Sequence, residues 1–244
     1  MGGGPLNPSA NIVSNEPLTL RRATIDDLDD ITWIVTNSLP DDPGTDYRFP
    51  YRDKYPEDFW KWTKEEYAEY FERSDKFYVM IVTAPVEDDG EVVQQPVAVG
   101  VWDLIVTSDF IPSGTFALLP TNKPDDQDHG TNERRDANPK HMEAYTSTLQ
   151  SEFKRYFIPV GREQVPLWAL YTHPDFRRRG AGTMICKWGI KQVVNTNRHL
   201  TLCATPMGKL LYLSLGYKSL GKIVVQVEGE EERIVQDAMV KYTN

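Results

Sequence analysis

A short apolar strand that runs into an arginine- and glycine-rich turn, and from there into a helix, constrains this chain more than any other stretch. Leu167–Thr172 reads Leu-Trp-Ala-Leu-Tyr-Thr and is closed by Pro174, which has no N–H to give to a strand ladder. From Gly182 the period becomes helical. Ile185, Cys186, Ile190, Val193 and Val194 share one face, and Lys187, Lys191 and Asn195 the other. Between them lies Arg177-Arg178-Arg179-Gly180-Ala181-Gly182. Glycines let the backbone approach a ligand, and the first N–H groups of a helix lack intrahelical acceptors at the positive end of its dipole. With the arginines, this describes a phosphate or pyrophosphate cradle; a basic helix cap is the plainer reading. It is not the dinucleotide fingerprint, which needs a third glycine, nor a P-loop, since no Gly-Lys-Ser/Thr follows.

Around this stretch the chain reads as alternating strands and helices. Residues 1–17, rich in Gly, Pro, Asn and Ser, form a flexible tail or surface strap, and residues 18–244 one domain. Leu18–Arg22 is a first strand, and Thr24 with Asp27 begins a helix striped by Leu28, Ile31, Ile34 and Val35. Asp41–Tyr55 is a polar loop, and a second helix runs from Pro56 or Glu57 to about Arg73. Lys76–Ala84 and Pro96–Val106 make a hairpin. Residues 107–164 then break the pattern, with a long loop over Ile111–Asn138 and a helix over Pro139–Phe157. After the motif come a strand at His199–Thr205, a helix at Met207–Leu215, and strands at Lys218–Val227 and Arg233–Tyr242. Met184 and Trp188 point to the polar side of the motif helix and call for a cover, from the strap or from a partner chain in a homodimer.

Charge and composition exclude several functions. A net charge of −9 disfavours nucleic acid and anionic lipid as partners and suits a cationic one. No apolar run approaches the ~20 residues that span a bilayer. Two cysteines, Cys186 and Cys203, read as core positions in a reducing, cytoplasmic setting. His129 and His141 lack acidic or thiol companions at ligand spacing, so no metal is expected.

The turn resembles the acyl-CoA signature of the GNAT superfamily of N-acetyltransferases, Gln/Arg-x-x-Gly-x-Gly/Ala, with Arg177, Gly180 and Gly182 at its defined positions. Leu-Arg-Arg-Ala-Thr-Ile-Asp-Asp-Leu-Asp-Asp-Ile, from Leu20, is similar to that superfamily's opening, and Leu211-Tyr212-Leu213-Ser214-Leu215-Gly216-Tyr217 to its second signature, Leu-Tyr-x-x-x-Gly-Phe/Tyr. The resemblance covers Leu18 to about Val106 loosely and Val165 to the C-terminus closely; residues 107–164 are an insertion between its third and fourth strands.

The resemblance implies an α/β (α+β) domain with a mixed, mostly antiparallel sheet splayed between the fourth and fifth strands and helices on both faces. It implies acetyl-CoA as cofactor. Arg177, Arg178, Arg179, Gly180, Ala181 and Gly182 would hold its pyrophosphate. Leu170, Tyr171 and Thr172 would pair with its pantetheine arm, a peptide N–H near Leu170 polarising the thioester. Thr205 and Gly208 would also touch the cofactor, although the family often has Asn where Thr205 stands. Tyr212 matches the tyrosine that serves the leaving thiolate, with half-buried packing as its plainer role. The family takes its general base from different strands, often as Glu or Asp acting through water; Asp103 and Glu152 are the candidates, and His173 is read as structural. The first two helices wall the family's acceptor site. Their aromatic residues then serve either as core or as wall, and Asp41, Asp42, Asp46, Asp53, Glu57 and Asp58 would rim an acidic entrance. The expected acceptor is a small, cationic amine. Acetylation of a protein N-terminus or lysine, and a silent CoA-binding or sensor module, are the alternatives.

Overall fold

The computed structural model describes residues 11–12, 17–104, 134–161 and 163–243. Eight strands form one sheet: β1 (Asn11–Ile12), β2 (Thr19–Arg22), β3 (Phe77–Asp88), β4 (Glu91–Asp103), β5 (Gln164–Thr172), β6 (His199–Ala204), β7 (Lys218–Gln226) and β8 (Arg233–Lys241). Their order is β1-β3-β4-β5-β6-β8-β7, with β2 also on β3. Every pairing is antiparallel except β5–β6. With the short β1 counted, this parallel pair is the fourth and fifth strands of the expected arrangement. It holds at three positions only, Gln164↔His199, Val165↔Leu200 and Pro166↔Thr201; beyond them the strands part.

The helices lie on both faces. Along β3, Val79 and Ile81 face the core built on α1 (Leu28–Ser38) and α3 (Pro56–Glu72), while Met80 and Val82 face α5 (Ala181–Gln192). The first turn before α1 is held by Asp27, which accepts from the Thr24 N–H at 2.8 Å and from Arg21 at 2.6 Å. Burial pulls against these donors, which together keep the Asp27 carboxyl below its ordinary range. α5 follows Gly180, whose φ of 93° belongs to the left-handed region.

Three local features differ from the sequence reading. The hairpin strands run on to a tight turn at Asp89 and Gly90, both at positive φ, so they are longer than expected. The loop after α1 contains a short helix, α2 (Pro43–Arg48), because Asp42 accepts from the Gly44 N–H at 3.0 Å and Pro43 opens the first turn. The motif helix ends at Gln192, which leaves Val194 exposed rather than on the apolar face. Trp188 is covered within the chain, half-buried with its ring 6.1 Å from that of Tyr78.

Of the loop expected over Ile111–Asn138, only residues 134–138 are described, and of the strap, only Asn11 and Ile12 pair with β3 before residue 17. The insertion's helix, α4 (Pro139–Tyr156), packs on β7 and α2. Its His141 stacks on Tyr47 of α2, rings 4.0 Å apart. The imidazole bonds the Tyr47 carbonyl at 2.6 Å and the Glu230 carboxylate, in the β7–β8 turn, at 2.7 Å. Tyr156 donates to the Lys222 carbonyl at 3.1 Å.

Candidate active site

A cavity of about 700 Å³ opens where β5 and β6 separate, lined on one side by Leu167–Thr172 and on the other by Cys203 and Thr205. β5 owes its shape here to a bulge. Val101 pairs with Ala169 but Trp102 with Leu167, so Trp168 is an extra residue and shares a face with Ala169. The edge of β5 that β6 would occupy is unpaired from Leu167 onward, leaving N–H and C=O groups open to a guest.

One group of wall residues belongs to the arginine–glycine turn: Thr172, Arg177, Arg178, Gly180, Ala181 and Gly182. The N–H groups of the first turn of α5 have no intrahelical acceptors. A Cβ on Gly182 would sit 3.3 Å from Leu211 and 3.7 Å from Leu170, so the backbone approaches the cavity closely there. The Arg177 guanidinium braces the turn, donating to the Thr172 and Ser38 carbonyls at 3.2 and 3.3 Å and pairing with Asp41. Arg178 lines the cavity, whereas Arg179 lies outside it, near the ring of Phe176. Behind the turn His173 stacks on Trp33, rings 4.0 Å apart, and burial holds its pKa below the ordinary value.

A second group comes from β6 and α6 (Pro206–Ser214). Thr205 caps α6, its hydroxyl accepting from the Gly208 N–H at 3.2 Å. Gly208 leaves room for the Tyr212 ring, which a Cβ would approach to 3.1 Å. Tyr212 is buried in the wall, and desolvation pushes its phenol well above the ordinary tyrosine value. It stays protonated at neutral pH and so keeps a proton to donate. Burial also pushes the Cys203 thiol up to about 12.

The third group is the one that the sequence did not reveal. Glu66 of α3 lines the cavity, as do Tyr67 and Tyr70 of the same helix and Phe49, Phe59 and Trp168. Burial pushes its carboxyl up to about 6, against the pull of Arg134 and Arg48 and a hydrogen bond from Tyr70. A carboxyl that titrates near neutrality inside a cleft has the properties of a general base. Tyr171 also lines the cavity, and burial pushes its phenol above the ordinary tyrosine value.

The structure does not bring Asp103 or Glu152 to this cavity. Asp103 is buried at the end of β4 and pairs with Lys76 at 3.4 Å; Glu152 pairs with Arg155 on α4 at 3.5 Å. The acidic entrance is largely neutralised. Asp41 pairs with Arg177, Asp46 with Arg52, and Glu57 and Asp58 with Arg135. Asp42 does line the cavity. Among the described residues no His, Cys, Asp and Glu side chains gather as a metal site, and no helix is long and apolar enough to cross a membrane.

No family model matches the chain. A curated protein named acetyltransferase, from Stachybotrys chartarum, is 25% identical over 222 residues, which is 91% of this chain and 90% of that one. A solved structure described as histone acetyltransferase HPA2 and related acetyltransferase, from Corynebacterium glutamicum, aligns over 94% of this chain and 98% of its own, with a TM-score of 0.54 and 14% identity. The chain has the GNAT acetyltransferase fold. A structure of a putative acetyltransferase from Acinetobacter baylyi agrees, with a TM-score of 0.51, 16% identity and 93% of each chain covered. In the GNAT fold the parted strands and the glycine turn fall where the sequence resemblance expects them, and the residues present fit an acyl-CoA: free amides at the turn, an unpaired strand edge and a cavity leading from them.

Proposed function

We propose that this protein is an N-acetyltransferase that moves an acetyl group from acetyl-CoA to the amine of a small molecule within a ternary complex. The observation that carries the reading is Glu66, a carboxyl raised to about 6 in the same cavity as the glycine turn and Tyr212. The name of the Stachybotrys relative supports acetyl transfer. The aromatic lining of the cavity, with Phe49, Phe59 and Tyr67, supports a small acceptor over a peptide.

The cofactor would supply a thioester open to attack by an amine. The N–H groups of Arg179–Gly182, with the Arg178 side chain, hold pyrophosphate oxygens, as unpaired helix-start amides do. The free edge of β5 would orient the arm, and a peptide N–H near Leu170 would stabilise charge on the carbonyl oxygen. Glu66, ionised above about pH 6, takes the proton from the acceptor's ammonium. Tyr212, held protonated by its burial, would donate to the thiolate sulfur as it leaves. Two free cysteines, Cys186 and Cys203, accord with work in a reducing, cytosolic compartment.

Thiol release from acetyl-CoA, measured across a panel of small amines and of peptides with free N-termini or lysines, tests the reading. Turnover with amines and not peptides is expected. Binding of CoA without thiol release from either set would overturn it in favour of a CoA-binding module.

A further inference from the structure

Aromatic rings reach the cavity from four separate segments: Phe49 at the end of α2, Phe59 and Tyr67 on α3, Tyr145 on α4, and Trp168 on β5. Trp168 is there because of the bulge. Neighbours in a regular strand face opposite ways, yet Trp168 and Ala169 both pack on the core of α1 and α3. Phe49 and Phe59 meet at 53° with centroids 5.6 Å apart, and Tyr67 and Tyr70 at 71° and 5.5 Å. Aromatic rings prefer such tilted and edge-on arrangements, and a further ring extends them without disturbing the pairs already made.

The charges of the cavity suit a single ammonium. Among the described residues that line it, the carboxylates are Asp42 and Glu66, and the guanidiniums are Arg48, Arg134, Arg177 and Arg178. Asp42 accepts from the Gly44 N–H and opens α2, where a negative charge suits the helix start. Glu66 is thus the carboxylate left to meet an ammonium. Nor do the rings offer a second cation a seat throughout: Arg134 lies over Phe49 at 4.2 Å and Arg48 over Tyr145 at 4.4 Å. The further charges of a polyamine would come up against these guanidiniums.

We propose that the acceptor is a monoamine with an aromatic body, its nitrogen on an alkyl carbon. The amine meets Glu66, and the ring lies among Phe49, Phe59 and Trp168. A nitrogen on the ring itself would be uncharged at neutral pH and would have no ammonium proton to give. This rests on the transferase reading above, and it narrows the expectation of a small, cationic acceptor.

The test follows thiol release from acetyl-CoA with phenethylamine, propylamine, 2-cyclohexylethylamine and spermidine. Phenethylamine should exceed propylamine and spermidine in kcat/KM by about 10–100-fold, the worth of burying a phenyl group. It should exceed the cyclohexyl amine several-fold, as ring–ring geometry adds to apolar area. The ratio to propylamine should fall in Trp168→Leu and in Phe59→Leu. A second measurement needs neither turnover nor a variant: with CoA present, N-acetylphenethylamine should raise the Tm of the wild-type protein more than N-acetylspermidine. Equal turnover of the four amines, preference for spermidine, an undiminished ratio in both variants, or no excess Tm rise overturns the proposal and leaves the transferase reading standing. A preferential Tm rise without thiol release from any amine keeps the aromatic chamber and removes the transferase.

Discussion

The indole of Trp102 lies against the backbone of Gly189, so close that a Cβ on Gly189 would stand 2.2 Å from the ring. This contact seats α5, and with it the glycine turn, on β4. Gly189→Ala is therefore expected to lower stability by about 1–3 kcal/mol, the usual result of overpacking a core. Thermal melts of Gly189→Ala, Trp102→Phe and the double variant check it. The double variant should recover part of the loss, because the smaller ring makes room for the methyl.

Gly182→Val puts a branched side chain where the α5 amides meet the cavity. The fold should survive, because the added Cβ first meets the flexible end of Leu211, at 3.3 Å. Wild-type protein should melt higher with CoA, as a ligand of the folded state alone requires. That shift should vanish in Gly182→Val, and an undiminished shift in the folded variant would remove the cradle from these amides.

Tyr212→Phe keeps the ring packed beside Tyr217 and removes the hydroxyl. Turnover should drop ~10²-fold or more with CoA affinity nearly unchanged, the pattern for a donor that acts in the transition state. Steady-state kinetics with CoA inhibition constants check both halves; full activity would make Tyr212 a packing residue.

Glu66→Gln should cut turnover by ~10²-fold or more and remove the rising limb of kcat/KM near pH 6. Stability should move the other way. A carboxyl with its folded pKa raised above the unfolded value holds its proton more tightly when folded. Its stabilising contribution is full below about 4.5 and is lost as pH rises through about 6. Glu66→Gln should therefore gain on wild type in Tm between pH 4 and pH 7. Identical pH profiles for the two proteins would remove Glu66 from the reaction.

The strand–turn–helix at Leu167–Gln192 was legible because glycines, a proline and a change of period mark it within one continuous stretch. The parted strands followed from the family resemblance that this stretch carries. Glu66 was not legible, since α3 carries several carboxylates and only the fold decides which one faces inward. Arg48 and Arg134 were hidden for another reason: they meet only in space. Asp103 was chosen for its strand, but it lies at the end paired with Phe77, beside Lys76. The aromatic residues of α3 proved to be core and wall at once, as with Phe59, Tyr67 and Tyr70.

Because β5 and β6 share only three rungs, the two halves of the sheet resemble scissor blades joined near one end, and α4 is fastened to the β7–β8 blade through His141 and Tyr156. That tie contributes Tyr145 to the acceptor chamber and nothing to the glycine turn. On the proposed function, the cofactor would be gripped at the glycine turn and the acceptor walled by α3, β5 and α4 together. Changes on α3 and α4 would then refit the molecule to a new acceptor, as a changed jaw refits a clamp, while the nucleotide handle stays as it was.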